Sequence, residues 1–200
     1  FNPVDKMQLV EVVSAPQSAA QALERGAAFV LAINRLPLPV TSSPGFLVNR
    51  ILMPYLLEAV RLVDEGIRPE VIDQAAIDFG MPMGPIRLAD TVGLDICLSV
   101  AKILANHYPV EIPKRLIEMV ASGHLGRKTG SGLYDHRAKQ KKLVAPETTP
   151  PHVSQRLMLR LLNEAVACRR EQVVENTDLL DAGIIYGAGF APFHGGPMQY

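Results

Sequence analysis

Two polar side chains stand where the surrounding sequence has little use for them. Glu11 lies inside Asp5-Lys6-Met7-Gln8-Leu9-Val10-Glu11-Val12-Val13, a run short, apolar and β-branched enough for a buried strand. Alternation puts Leu9, Glu11 and Val13 on one face, so the carboxylate has apolar neighbours on both sides. It needs a paired cation or a pKa raised by burial, unless it is a chance glutamate near a strand end. Asn49 follows a break at Pro44-Gly45 and falls on one helical stripe with Met53, Leu56 and Val60. An unpaired amide on a buried stripe costs roughly 1–3 kcal/mol. Asn49 is therefore either a structural asparagine bonded to a neighbouring loop or a side chain aimed into a ligand site at the helix mouth. A carboxylate can fix the ring of a base, and an amide can hold a developing carbonyl.

Other candidates are weaker. His194, in Pro192-Phe193-His194-Gly195-Gly196, has no carboxylate at a spacing that would orient it and reads as a turn residue. The loop Gly126–Gly132 is rich in glycine, but it follows no strand and lacks the lysine spacing of a phosphate loop. It reads as a packed closing turn anchored by Leu133 and Tyr134. The five histidines are scattered, none at metal-ligand spacing, so no metal site is expected. Cys97 and Cys168 are far apart within apolar helical patterns, which fits buried free thiols in a reducing, cytoplasmic compartment.

The elements that must position Glu11 and Asn49 come next. Residues 5–13 form the expected strand, Ser14 and Gln17 a capping box, and an Ala-rich helix follows to about Asn34. Pro37 and Pro39 restrict Leu36–Thr41 to a short terminal or edge strand. Strand, helix and strand make the unit of a parallel sheet, here the closing unit of a larger nucleotide-binding domain. A helix is expected over 46–65, with Arg50, Pro54, Glu58, Arg61 and Glu65 forming its solvent-facing stripe. Gly66 ends it, and Pro69 opens a helix to about Phe79. A long helix from Ile86 to His107 should bury Leu88, Val92, Ile96, Val100 and Ile103, and Pro113 to Ala121 a further one.

Residues 137–152, with a basic run and Pro146, Pro150 and Pro151, read as a linker. Beyond it the chain repeats itself. Asn49-Arg50-Ile51-Leu52 with Glu58-Ala59-Val60 returns as Gln155-Arg156-Leu157-Met158 with Glu164-Ala165-Val166. Gly80 with Gly84-Pro85 returns more loosely as Gly189 with Gly196-Pro197. Gln155 replaces Asn49, so the distinctive amide belongs to the first copy only. The two copies should pack with pseudo-two-fold symmetry. Net charge is zero and the pI is near neutral, which argues against nucleic acid or an anionic membrane as partner, and no apolar run is long enough to span a bilayer. Both ends read as cut, so a longer protein is expected.

Five stretches together resemble the L-3-hydroxyacyl-CoA dehydrogenase family: Phe1-Asn2-Pro3-Val4, Met7–Val12, Ser43–Arg50, Pro82-Met83-Gly84-Pro85 and Gly126–Tyr134. The resemblance implies a mainly α chain of tandem helical units, like the C-terminal domain of 6-phosphogluconate dehydrogenase. These follow the last strand–helix–strand piece of a Rossmann-type α/β domain. The expected divisions are 1–42 for that piece, 43–136 for the helical domain, 137–152 for the linker and 153–200 for a second, truncated helical copy. The implied reaction moves a hydride from C3 of a 3-hydroxyacyl-CoA to NAD while a histidine takes the hydroxyl proton, in fatty-acid β-oxidation. Glu11 aligns with the glutamate that orients the histidine, Asn49 with the asparagine that binds the reacting group, and Asn2 with a residue lining the nicotinamide. The histidine itself would lie before Phe1, as would the dinucleotide fingerprint, so these 200 residues alone should be inactive. Two helical copies point to the fused multifunctional branch, with an enoyl-CoA hydratase region upstream and self-association or a thiolase subunit as possible partners. The competing readings are a non-catalytic helical dimerisation or acyl-CoA-binding module, and a related dehydrogenase acting on another hydroxy acid.

Overall fold

A computed structural model describes residues 4–137 and 149–200. Asn2 and most of the 137–152 linker fall outside the described residues. In chain order the elements are β1 (Leu9–Ser14), α1 (Ala20–Ala32), β2 (Leu36–Thr41), α2 (Val48–Asp64), α3 (Pro69–Phe79), α4 (Pro85–Val92), α5 (Leu94–Ala105), α6 (Lys114–Ala121), α7 (Pro151–Arg170) and α8 (Thr177–Ala188). The chain is mainly α, with one two-stranded sheet among the described residues. It divides into two compact units, Phe1–Ile51 with Leu162–Tyr200, and Leu52–Leu161. No helix among the described residues is long and apolar enough to cross a membrane.

In the first unit β1 and β2 run parallel, Leu9 facing Leu36, Glu11 facing Leu38 and Val13 facing Val40. A parallel pair needs a crossover, which α1 supplies. Pro37 and Pro39 deprive β2 of two donors, which an edge strand tolerates, while Leu38 and Val40 are buried. The expected capping box does not form. Instead Ser18 Oγ accepts the Ala15 N–H at 3.0 Å, a local turn that delays α1 to Ala20. Of α1 only Val30 is buried, and Phe29 and Leu31 remain exposed.

In the second unit the helix expected over 86–107 is two helices, α4 and α5, separated by Gly93 at φ 105°. Its buried side also differs. Ile86, Ala89, Leu94, Cys97, Ala101 and Leu104 are buried, whereas Val92, Ile96 and Ile103 are exposed. Both stripes are apolar, so periodicity alone does not choose between them. The buried one carries the small residues Ala89, Gly93, Cys97 and Ala101, which let neighbouring helices approach closely. The loop after α6 is held by Asp90 of α4, whose buried carboxylate accepts the N–H groups of Leu133 and Tyr134 at 2.9 Å and contacts His136 Nε2 at 2.8 Å. Within the loop Gly126, Thr129, Gly130 and Gly132 donate their N–H groups to backbone carbonyls, so these donors are not free for a phosphate.

The same device appears twice. Asp73 of α3 accepts the N–H groups of Ile86 and Arg87 at 2.8 and 3.3 Å, closing the start of α4. Asp181 of α8 accepts those of Met198 and Gln199 at 2.7 and 3.1 Å. Gly84 and Gly196 stand where an added Cβ would collide with the Asp73 and Asp181 side chains respectively. Asp73 thus serves α4 as an N-cap borrowed from the preceding helix, while Asp181 holds the turn at Met198 and Gln199.

The charged stripe of α2, expected to face solvent, does so only toward its end, where Arg61 is half-buried and Glu65 exposed. Arg50 is 2% exposed and Glu58 3%. Within the first unit Arg50 Nε meets Glu164 Oε1 at 2.7 Å and its Nη1 meets Glu171 Oε2 at 2.7 Å. Within the second, Glu58 accepts from Arg156 Nε at 2.8 Å and Arg160 Nε at 3.1 Å, and Arg156 Nη2 also holds Glu65 at 2.7 Å. Arg50 and Glu58 are repeated as Arg156 and Glu164, so each copy's arginine binds the other copy's glutamate. A stripe of charge can be buried when the same chain carries its complement at the same spacing.

Candidate functional site

β1 brings Glu11 to the start of α2. Its Oε1 accepts the N–H of Leu47 at 2.9 Å and of Val48 at 3.1 Å. The first turn of α2 has no acidic residue of its own, so Glu11 supplies from a neighbouring strand the negative charge that a helix N-terminus favours. Burial raises the Glu11 pKa above its ordinary value, and the two backbone donors act against that rise. Both of these bonds fall on Oε1. The pairing or burial-raised pKa anticipated for this carboxylate is present, with backbone donors in place of a cation.

Asn49 is the second residue of α2, one position beyond Val48. It is exposed, contrary to the expectation of a buried stripe, although Met53, Leu56 and Val60 are buried. Its neighbours Leu47, Val48, Arg50 and Ile51 are buried, so Asn49 alone of the first turn reaches the surface. Exposure removes the cost of an unpaired buried amide, and with it the burial argument from which both readings of Asn49 started. The entry to the helix is a tight reversal, with Gly45 at φ 79° and Phe46 at φ 50°, and Phe46 is one of three non-glycine residues with positive φ among the described residues.

α8 closes the site from beneath. A Cβ on Gly187 would lie 2.6 Å from Val48 Cγ2 and 2.9 Å from Leu9 Cδ2, and one on Gly183 2.7 Å from Leu38 Cδ2. Only glycine allows that approach. β2 is tied down at its end, where Thr41 donates its N–H to Val173 O at 2.8 Å and its hydroxyl to Gln172 O at 3.1 Å. The structure thus brings Glu11 and the backbone before Asn49 together, while Asn2 lies outside the described residues. His194 sits in a short 3-10 turn, Pro192–His194, as its sequence context indicated. The anchors on Arg50 were missed, although the repeated Arg–Glu pair was their signal.

A dinucleotide does not fit the strand–helix turn present here. The segment Ala15-Pro16-Gln17-Ser18-Ala19 has no glycine, and its Ala15 N–H is already taken by Ser18 Oγ.

Residues 45–136 match the family model for the 3-hydroxyacyl-CoA dehydrogenase C-terminal domain, and residues 1–43 match that for the 3-hydroxyacyl-CoA dehydrogenase NAD binding domain. Solved structures agree. The 3-hydroxybutyryl-CoA dehydrogenase of Escherichia coli K12 superposes with a TM-score of 0.83 at 25% identity, over 95% of this chain and 60% of that one. The (S)-3-hydroxybutyryl-CoA dehydrogenase PaaH1 of Ralstonia eutropha gives 0.65 at 39% identity, over 68% and 50%. The dehydrogenase part of multifunctional enzyme 1 from C. elegans gives 0.62 at 25% identity, over 96% and 47%. The chain therefore spans between 47% and 60% of the length of these three relatives.

Proposed function

The chain belongs to the 3-hydroxyacyl-CoA dehydrogenase family, and on that footing we propose that the protein oxidises (S)-3-hydroxyacyl-CoA thioesters to 3-oxoacyl-CoA in fatty-acid β-oxidation. NAD is the proposed hydride acceptor. The observation that carries the reading is the coupling of Glu11 to Asn49 through the start of α2: one carboxylate oxygen holds the turn from which the amide projects.

In this reading the Asn49 amide donates to the C3 oxygen, where charge changes as the carbon becomes a carbonyl. Glu11 keeps Oε2 for the histidine base, fixing its tautomer and balancing the charge it gains. The glycine-free turn between β1 and α1 does not fit the dinucleotide phosphates, so that turn is given no part in holding the cofactor. Asn2 is the candidate for contact on its nicotinamide side. Two helical copies, 43–136 and 153–200, joined through 137–152, are read as the mark of the multifunctional branch, and the likeness to the dehydrogenase part of the C. elegans enzyme is in keeping with that reading. A cytoplasmic location and a thiolase subunit as partner belong to the same proposal, and the 200 residues alone are proposed to be inactive.

The test is the initial rate of NADH formation by the full-length protein. The substrates are (S)-3-hydroxybutyryl-CoA, a long-chain (S)-3-hydroxyacyl-CoA and free 3-hydroxybutyrate. Turnover of the thioesters and not of the free acid is expected. Turnover of the free acid alone would replace this function by that of another hydroxy-acid dehydrogenase.

A further inference from the structure

Asn49 is exposed, yet the residues on either side of it are locked. Glu11 holds the N–H groups of Leu47 and Val48, and α8 lies against Leu47 and Val48 at its glycines. On the other side Arg50 is almost wholly buried, with separate nitrogens on two carboxylates: Nε on Glu164 of α7 and Nη1 on Glu171 just past its end, both at 2.7 Å. All of these residues belong to the first compact unit.

We propose that Glu164 and Glu171 are positioning residues for Asn49, acting through Arg50, so that the second helical copy sets the direction of the amide carried by the first. The proposal rests on the reading of Asn49 as the group that holds the C3 oxygen. A planar guanidinium gripped at two nitrogens is fixed in rotation as well as place, and through it the first turn of α2 is fixed too. Stability alone gives no reason for the arrangement, since well-packed apolar residues in place of a buried ion pair are often as stable or more so. What an ion pair adds is a single defined orientation. Here that orientation belongs to the residue next to the amide.

The second copy thus replaces its own distinctive position with Gln155 while supplying Glu164 and Glu171 to the first. Lysine at position 50 keeps the charge but cannot span both carboxylates. A misplacement of about 1 Å at a reacting group costs up to about 10²-fold in rate.

The experiment is a double-mutant cycle on the full-length enzyme, with kcat, KM and melting temperature measured for Arg50→Lys, Asn49→Ala and the double variant. Glu171→Gln, at a half-exposed side chain, serves as a second and gentler perturbation. Arg50→Lys should lower kcat by between about 10-fold and 10²-fold with KM little changed. In the Asn49→Ala background it should lower kcat no further. Glu171→Gln should show the same pattern with a smaller loss. An equal loss in both backgrounds makes Arg50 merely structural and overturns the proposal. Unchanged kcat in Arg50→Lys and Glu171→Gln, with Asn49→Ala slow, overturns it while sparing the reading of Asn49. Unchanged kcat in Asn49→Ala removes that reading and the proposal with it.

Discussion

Asp73 offers a quantitative test of the packing in the second unit. Its carboxylate is buried, accepts two backbone N–H groups and the Tyr134 hydroxyl at 2.8 Å, and has Arg87 Nε at 3.7 Å. Burial is the dominant influence and raises its pKa from 3.8 to about 6, against the opposing effect of Tyr134 and the backbone donors. A carboxyl that ionises at a higher pH when folded favours the folded state below its unfolded value. That contribution is lost as pH rises through the folded value. The whole effect is about 3 kcal/mol, of which roughly half falls between about pH 5 and 7.5. Asp73→Asn keeps an acceptor for Ile86 and removes the titration. Urea unfolding of both proteins at several pH values isolates the group, because all other titrations cancel in the difference. The wild type should lose about 1.5 kcal/mol relative to Asp73→Asn over that interval. Parallel pH profiles for the two proteins, or a wild type that gains on the variant as pH rises, would refute the reasoning.

Gly84→Ala and Gly196→Ala each drive a Cβ into the aspartate that closes the following turn, and each should cost about 1–3 kcal/mol by thermal melting. Glu58→Gln strips the charge from a buried carboxylate held by Arg156 and Arg160. Because both arginines keep access to water, the expected loss is about 1–3 kcal/mol, below that of a fully buried pair, and is read from urea midpoints. Unaltered midpoints would mean that the exchanged pairs add nothing to stability.

Much of this fold is written locally. The prolines of Leu36–Thr41 mark an edge strand, Gly66 and Pro69 separate α2 from α3, and Gly80 ends α3 in a left-handed conformation. Periodicity was less informative where it could be satisfied twice. The α4–α5 segment carries two apolar stripes, and which one is buried depends on the size of its residues. The α2 stripe shows the opposite difficulty, since Arg50 and Glu58 carry the charges of a solvent face and are buried. Their partners in the repeat lie 114 positions away for Arg50 and 98 for Glu58, where no local rule reaches. Glu11 was legible as an odd carboxylate in a strand, but its bond to the start of α2 depends on tertiary packing. Asn49 stood out for a burial that it does not have. Its position one residue beyond the backbone that Glu11 holds supports the reading better.

Asn49 is proposed to act on the substrate from a helix start fixed by Glu11. Steady-state kinetics of the full-length Asn49→Ala enzyme, with a melting curve of the same preparation, test it most directly. Loss of one donor aimed at changing charge predicts a fall in kcat of about 10²–10³-fold. An exposed side chain predicts an almost unchanged melting temperature. An Asn49→Ala enzyme that melts lower but turns over normally would contradict the account.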